Sequence, residues 1–99
     1  MPDLLAALVE TLAGFATIDP KAIKAYHTLR PVWVMGQGGP SGFVHCTVSV
    51  LTGRDLTLRQ QIAAEMVRVI RLAYVASVTE CEAAVTLELR EMDRETYQK

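Results

Sequence analysis

No basic stripe, arm or run occurs in this sequence of 99 residues. Ten basic residues face eleven acidic ones, leaving a net charge of −1. Nucleic-acid binding therefore has no electrostatic support. No apolar run reaches the roughly 20 residues a membrane span needs. The N-terminus has no basic region leading into an apolar core and a cleavage site, so no signal peptide is expected. Met1-Pro2 reads instead as a cytoplasmic start. Cysteine is scarce, and Cys46 and Cys81 belong to no CxxC or Cys/His pattern. They read as small buried hydrophobes kept reduced. His27 and His45 are isolated, with no carboxylate or cysteine at ligand spacing, so neither a metal site nor a cofactor is expected. The loop Gly36-Gln-Gly-Gly-Pro-Ser-Gly42 is rich in glycine, but no helix follows it and no Lys-Ser/Thr closes it. A phosphate-binding loop is thereby excluded.

What the chain does have is apolar content. The hydrophobic fraction is 51% and the mean hydropathy is +0.22. A domain this small buries only about two-thirds of its unfolded surface. The excess predicts apolar surface covered by further copies of the chain, a homo-oligomer.

Pro2–Phe15 reads as a helix. Pro2 suits the first turn, and Leu4, Leu5, Leu8, Leu12 and Phe15 recur at i, i+3 and i+4. Asp19-Pro20 stops it. Ala22–Met35 is rich in β-formers (Tyr26, Thr28, Val32, Trp33 and Val34), with Pro31 marking an edge, bulge or bend. The glycine loop is expected to join this segment as a long hairpin to Phe43–Leu51. In that second strand Val44, Cys46, Val48 and Val50 alternate with His45, Thr47 and Ser49. Thr52-Gly-Arg-Asp55 makes a turn, and Thr57–Ser77 reads as a long helix opened by a capping box from Thr57 and Gln60. Its buried face is Leu58, Ile62, Met66, Ile70, Ala73 and Ser77, and Arg59, Arg68 and Arg71 face solvent. Ala83–Met92 is the last strand, with Val85, Leu87 and Leu89 on one side. The polar tail Asp93–Lys99 either frays or reaches a neighbour.

The expected fold is α+β in the order α-β-β-α-β. One domain over residues 1–99 carries two helices on one face of a small mixed sheet. A strand–helix–strand crossover implies a parallel pair. A Val/Leu strand face left open to water would be the physical reason for assembly.

The site most suggestive of chemistry is the turn into the long helix. Arg54 stands between the end of a strand and a helix N-terminus. A guanidinium offers a rigid fork of donors, and a helix start has unpaired N–H groups and a positive dipole end. Both favour anions.

Four pieces in order, F-V-H at 43–45, G-R at 53–54, R-Q-Q at 59–61 and L-E-L at 87–89, carry a family likeness. With them the chain resembles the 5-carboxymethyl-2-hydroxymuconate isomerases of the tautomerase superfamily. The resemblance implies a doubled β-α-β unit assembled as a trimer. It implies proton transfer along a conjugated keto-enol acid, with an N-terminal prolyl amine as base and arginines on the substrate carboxylates. Carried onto this sequence, Arg54 matches the carboxylate-binding arginine, and Lys24 falls near a second basic position. Pro2 matches the catalytic proline by position number, while Pro2-Asp-Leu-Leu aligns with the start of the family's first helix. The alignment therefore expects this chain to begin after the family's first strand, and an upstream natural start would restore it. Pro2 has two readings. It is a helix-start residue, or, once Met1 is removed, a secondary amine that titrates near neutrality and serves as base. The functional alternatives are an isomerase acting on an unsaturated 2-hydroxy or keto acid, and a non-catalytic homo-oligomeric scaffold or carboxylate-binding module.

Overall fold

A computed structural model describes residues 2–30, 33–39, 42–75 and 83–98. The elements run α1 (Pro2–Ala13), a short 3-10 turn (Pro20–Ala22), β1 (Gly42–Leu51), α2 (Leu56–Ala73) and β2 (Ala83–Met92). Helix α1 forms where Leu and Ala dominate, with Asp3 in its first turn beside the positive dipole end. It tightens at its exit, where Gly14 N–H donates to Thr11 and Phe15 N–H to Leu12. Asp19 then caps the 3-10 turn by accepting from the Lys21 N–H at 3.0 Å.

The two strands pair in parallel from Gly42↔Ala83 to Leu51↔Met92. The parallel pair expected from the crossover is present. Its inward face is the one the alternation predicts. Val44, Cys46, Val48 and Val50 of β1 and Val85, Leu87 and Leu89 of β2 all join or pack against the core. The buried centre combines Leu8 of α1 with Ile62, Met66 and Ile70 of α2 and with Val48, Val50 and Val85 of the sheet. Helix α2 packs on the sheet, and α1 packs chiefly on α2, adding Leu8 to the same core.

Three sequence expectations need correction. The first is the strand at Ala22–Met35. Residues 23–30 and 33–36 carry no strand, so among the described residues the sheet is a parallel pair rather than a mixed one, with no hairpin partner for β1. β-propensity is context-dependent, and Tyr26, Trp33 and Val34 have no neighbouring strand here to pack against. The second concerns the face open to water. It carries His45, Thr47 and Ser49 opposite Thr86, Glu88 and Arg90, not Val and Leu, because the helices have taken the apolar side. The third is the helix start. Asp55, not Thr57, caps α2, its carboxylate accepting from the Leu58 N–H at 2.8 Å. Asp55→Ala is expected to cost about 1 kcal/mol in urea unfolding. An unchanged midpoint would deny the cap. Along α2, Ala73 is exposed, and Ser77 and Cys81 lie outside the described residues.

Cys46 is a half-buried free thiol whose pKa burial pushes upward. Stability gained by burying the neutral thiol is complete below its unfolded pKa and is lost as pH rises through the raised folded value. In a Cys81→Ser background, alkylation of Cys46 is expected to lag behind a free cysteine at and above the ordinary thiol pKa of about 8.5. Alkylation at the rate of a model thiol at neutral pH would contradict this.

Candidate functional site

Strand β1 hands over to α2 through Thr52, Gly53, Arg54 and Asp55. Gly53 has a φ of 122°, a conformation L side chains rarely adopt. That backbone lets the chain reverse within a few residues and brings Arg54 to the foot of α2. The Arg54 guanidinium reaches across to the exit of α1. Its Nε donates to Thr17 Oγ1 at 3.2 Å and its Nη2 to the Thr17 carbonyl at 2.7 Å. Its Nη1 donates to the Leu51 carbonyl at 3.0 Å. These three bonds tie the α1 exit to the end of β1. A guanidinium has five N–H groups, so each terminal nitrogen of Arg54 keeps a second donor outside these contacts.

Two further arginines converge on the same turn. Arg59 Nε donates to the Arg54 carbonyl at 3.2 Å, and Arg59 Nη1 lies 3.4 Å from Glu91 Oε1. Arg94, just past β2, donates from Nε to the Thr52 carbonyl. Thus the carbonyls of Leu51, Thr52 and Arg54 each accept from a guanidinium. Asp55 is committed to its cap and Glu91 to Arg59. Among the described residues neither Arg54 nor Arg94 has a carboxylate partner. Arg54, Arg59 and Arg94 share this corner with the carboxylates of Asp55 and Glu91, and Asp93 and Glu95 flank Arg94, at the N-terminus of an 18-residue helix. The spare Arg54 N–H groups are donors of the kind a carboxylate accepts from.

Sequence reasoning singled out Arg54 but not its surroundings. Arg59, read as solvent-facing, is half-buried and buttresses the Arg54 backbone. Thr17 lies 37 residues from Arg54, and no local pattern announces such a pair. Arg94 looked like part of a polar tail. Lys24 is exposed, and no described contact joins it to Arg54. Pro2 opens α1. A 12-residue helix spans about 17 Å from its first to its last residue. Arg54 binds the chain just beyond the far end, so within one chain Pro2 and Arg54 are not brought together.

A shallow concavity elsewhere lies on the seam of the helices, lined by Ala7, Glu10, Thr11, Gly14, Phe15 and Glu65. Its two carboxylates have the wrong sign for an acidic ligand. The neighbouring Arg68 holds the Glu65 carboxyl below the usual carboxylate range. Among the described residues no group of three or more His, Cys, Asp or Glu could hold a metal ion, and no helix is long and apolar enough to cross a membrane.

The family model described as 5-carboxymethyl-2-hydroxymuconate isomerase matches residues 1–99. No curated protein matches the chain.

Proposed function

Because the chain belongs to the 5-carboxymethyl-2-hydroxymuconate isomerase family of the tautomerase superfamily, we propose that it moves a proton within an unsaturated 2-hydroxy or keto carboxylic acid. The observation that carries this is Arg54 just before α2, with a donor to spare on each terminal nitrogen and, among the described residues, no carboxylate in an ion pair with it. Two N–H groups on one planar cation suit a carboxylate, and the helix N-terminus adds positive potential. Fixing the acid there stabilises the negative charge that develops on a dienolate as its proton moves. Lys24 is the second cationic contact in this reading.

Pro2 is the proposed base, with Met1 removed. An α-amino group titrates near 7.7–8.0, close to working pH. A base must come within hydrogen-bond reach of the proton it takes. Since α1 separates Pro2 from Arg54 in one chain, a second copy supplies the partner. The proposed working form is a homo-oligomer, a trimer in keeping with the family, acting in the cytoplasm in the breakdown of aromatic compounds.

The test is the pH–rate profile of enol ketonization for wild type and Pro2→Ala. For wild type, kcat/KM is expected to rise with pH through a single ionisation below about 8. Pro2→Ala is expected to flatten that limb and cut the rate by roughly 100-fold or more. An identical profile in the variant would remove Pro2 from the mechanism.

A further inference from the structure

We propose that Arg59, braced by Glu91 of β2, is a positioning residue that acts through Arg54 and sets how tightly its guanidinium grips a substrate carboxylate. This rests on the function proposed above and names a residue that tunes the same site. The Arg54 side chain is only as well aimed as the backbone that carries it. On one side of it, Thr52 N–H donates to the Met92 carbonyl at 2.9 Å. On the other, the Asp55 carboxylate caps α2 by accepting from the Leu58 N–H. Between these anchors lie Gly53 and Arg54, and Gly53, at φ 122°, has the freedom to take other conformations.

The cap takes the Leu58 N–H, and among the described residues no backbone donor reaches the Arg54 carbonyl. Arg59 supplies a donor from its side chain, Nε to that carbonyl at 3.2 Å. Its own N–H donates to the Asp55 carbonyl at 3.1 Å. One residue near the start of α2 therefore holds two successive carbonyls, those of Arg54 and Asp55. Without the Nε bond, the Arg54 carbonyl turns to water and the peptide beside it is free to rotate.

Glu91 gives the hold its direction. Arg59 Nη1 lies 3.4 Å from Glu91 Oε1, and Glu91 is set opposite Val50 by the register of the sheet. Shielding sets this pair apart from the other two described ion pairs. The Arg59 and Glu91 side chains are 30% and 33% exposed, against 57% and 41% for Arg68 and Glu65 and 62% and 52% for Arg90 and Glu88. Well-exposed pairs contribute little, and partly buried ones are screened less by salt. Those two pairs also join residues three and two apart within one element, whereas Arg59–Glu91 ties α2 to β2 across the turn that carries Arg54. A two-point grip on a carboxylate needs parallel N–H groups in register with it. A misplacement of about 1 Å can cost roughly 100-fold in rate.

Kinetics and side-chain NMR on the full chain test this. Arg59→Met keeps an apolar stem and removes the donors. It is expected to raise KM for a 2-hydroxymuconate-type enol by roughly 10-fold or more. The rising limb of the pH–rate profile should stay where wild type has it, because Pro2 is untouched. Glu91→Gln should raise KM less. The double variant Arg59→Met/Glu91→Gln should match Arg59→Met alone, since Glu91 acts only through Arg59. Arg68→Met removes the other ion pair of α2 and should leave KM unchanged. A readout independent of turnover is hydrogen exchange at the Arg54 Nε–H, whose cross-peak is identified by its loss in Arg54→Lys. That N–H donates to Thr17 Oγ1, and Arg59→Met is expected to speed its exchange by roughly 10-fold or more. A lower melting temperature with KM and Arg54 Nε–H exchange both as in wild type would reduce Arg59 to a structural role and overturn the proposal. So would single-variant effects that multiply in the double variant. An inactive wild type whose Arg54 Nε–H is freed by Arg59→Met would overturn the proposed reaction while supporting Arg59 as the residue that positions Arg54.

Discussion

Replacing Arg54 by Ala is expected to lower kcat/KM on an enol acid by roughly 100-fold or more and, separately, to destabilise the fold by about 2 kcal/mol. The two effects have different origins. Three hydrogen bonds from a cationic donor hold Thr17 and Leu51. A hydrogen bond to a charged group contributes about 1.5–3 kcal/mol when well shielded, but Arg54 is only half-buried, so solvent takes back much of the sum. The catalytic effect comes from the spare N–H groups and the charge itself. Arg54→Lys separates them further. A lysine keeps the charge but lacks the planar fork, so it cannot reproduce both Thr17 contacts and a two-point grip on a carboxylate. Its melting temperature should fall with that of Arg54→Ala, and KM should rise. If both variants melt lower yet turn over substrate like wild type, Arg54 is a structural clamp and nothing more.

Ile62→Ala should be the most damaging single truncation in the core, at about 3 kcal/mol. Ile62 is fully buried, where α2 meets the sheet and α1. Removing its side chain forfeits the transfer free energy and leaves a cavity that close-packed neighbours fill only in part. A domain of this size has about 5–15 kcal/mol to lose. The expected fall in melting temperature is therefore roughly 12–24 °C. Leu72→Ala, at a position 59% exposed on the same helix, should stay within about 0.5 kcal/mol of wild type. Equal losses at the two positions would mean that the packing described for α2 is wrong.

The elements legible in the sequence were those whose periodicity is local. Strand β2 begins and ends where alternation places it, at Ala83 and Met92. Of the face read for the first helix, Leu4, Leu8 and Leu12 of α1 and Phe15 just past it meet the core while Leu5 does not, and Leu58, Ile62, Met66 and Ile70 of α2 meet it too. Two kinds of feature could not be read so well. One is structure that depends on a distant partner. A strand at 22–35 needs a neighbour, and Arg54 needs Thr17, which lies 37 residues away. The other is competition between near-equivalent local signals. Asp55 and Thr57 are both good N-caps, and Asp55 prevails because the turn at Gly53 already has the chain extended there, with Asp55 at φ −71° and ψ 165°. Family likeness pointed to Arg54, but only the fold shows it flanked by Arg59 and Arg94.

The central claim is that this chain is an isomerase whose Arg54 holds an acidic enol. The direct measurement is the rate of ketonization of a 2-hydroxymuconate-type enol by the purified 99-residue chain, followed by ultraviolet absorbance against the buffer rate. The account predicts turnover that saturates with substrate, scales with protein and is competed by a dicarboxylate. A rate that stays at the buffer value at high protein concentration, with the chain folded, would contradict it.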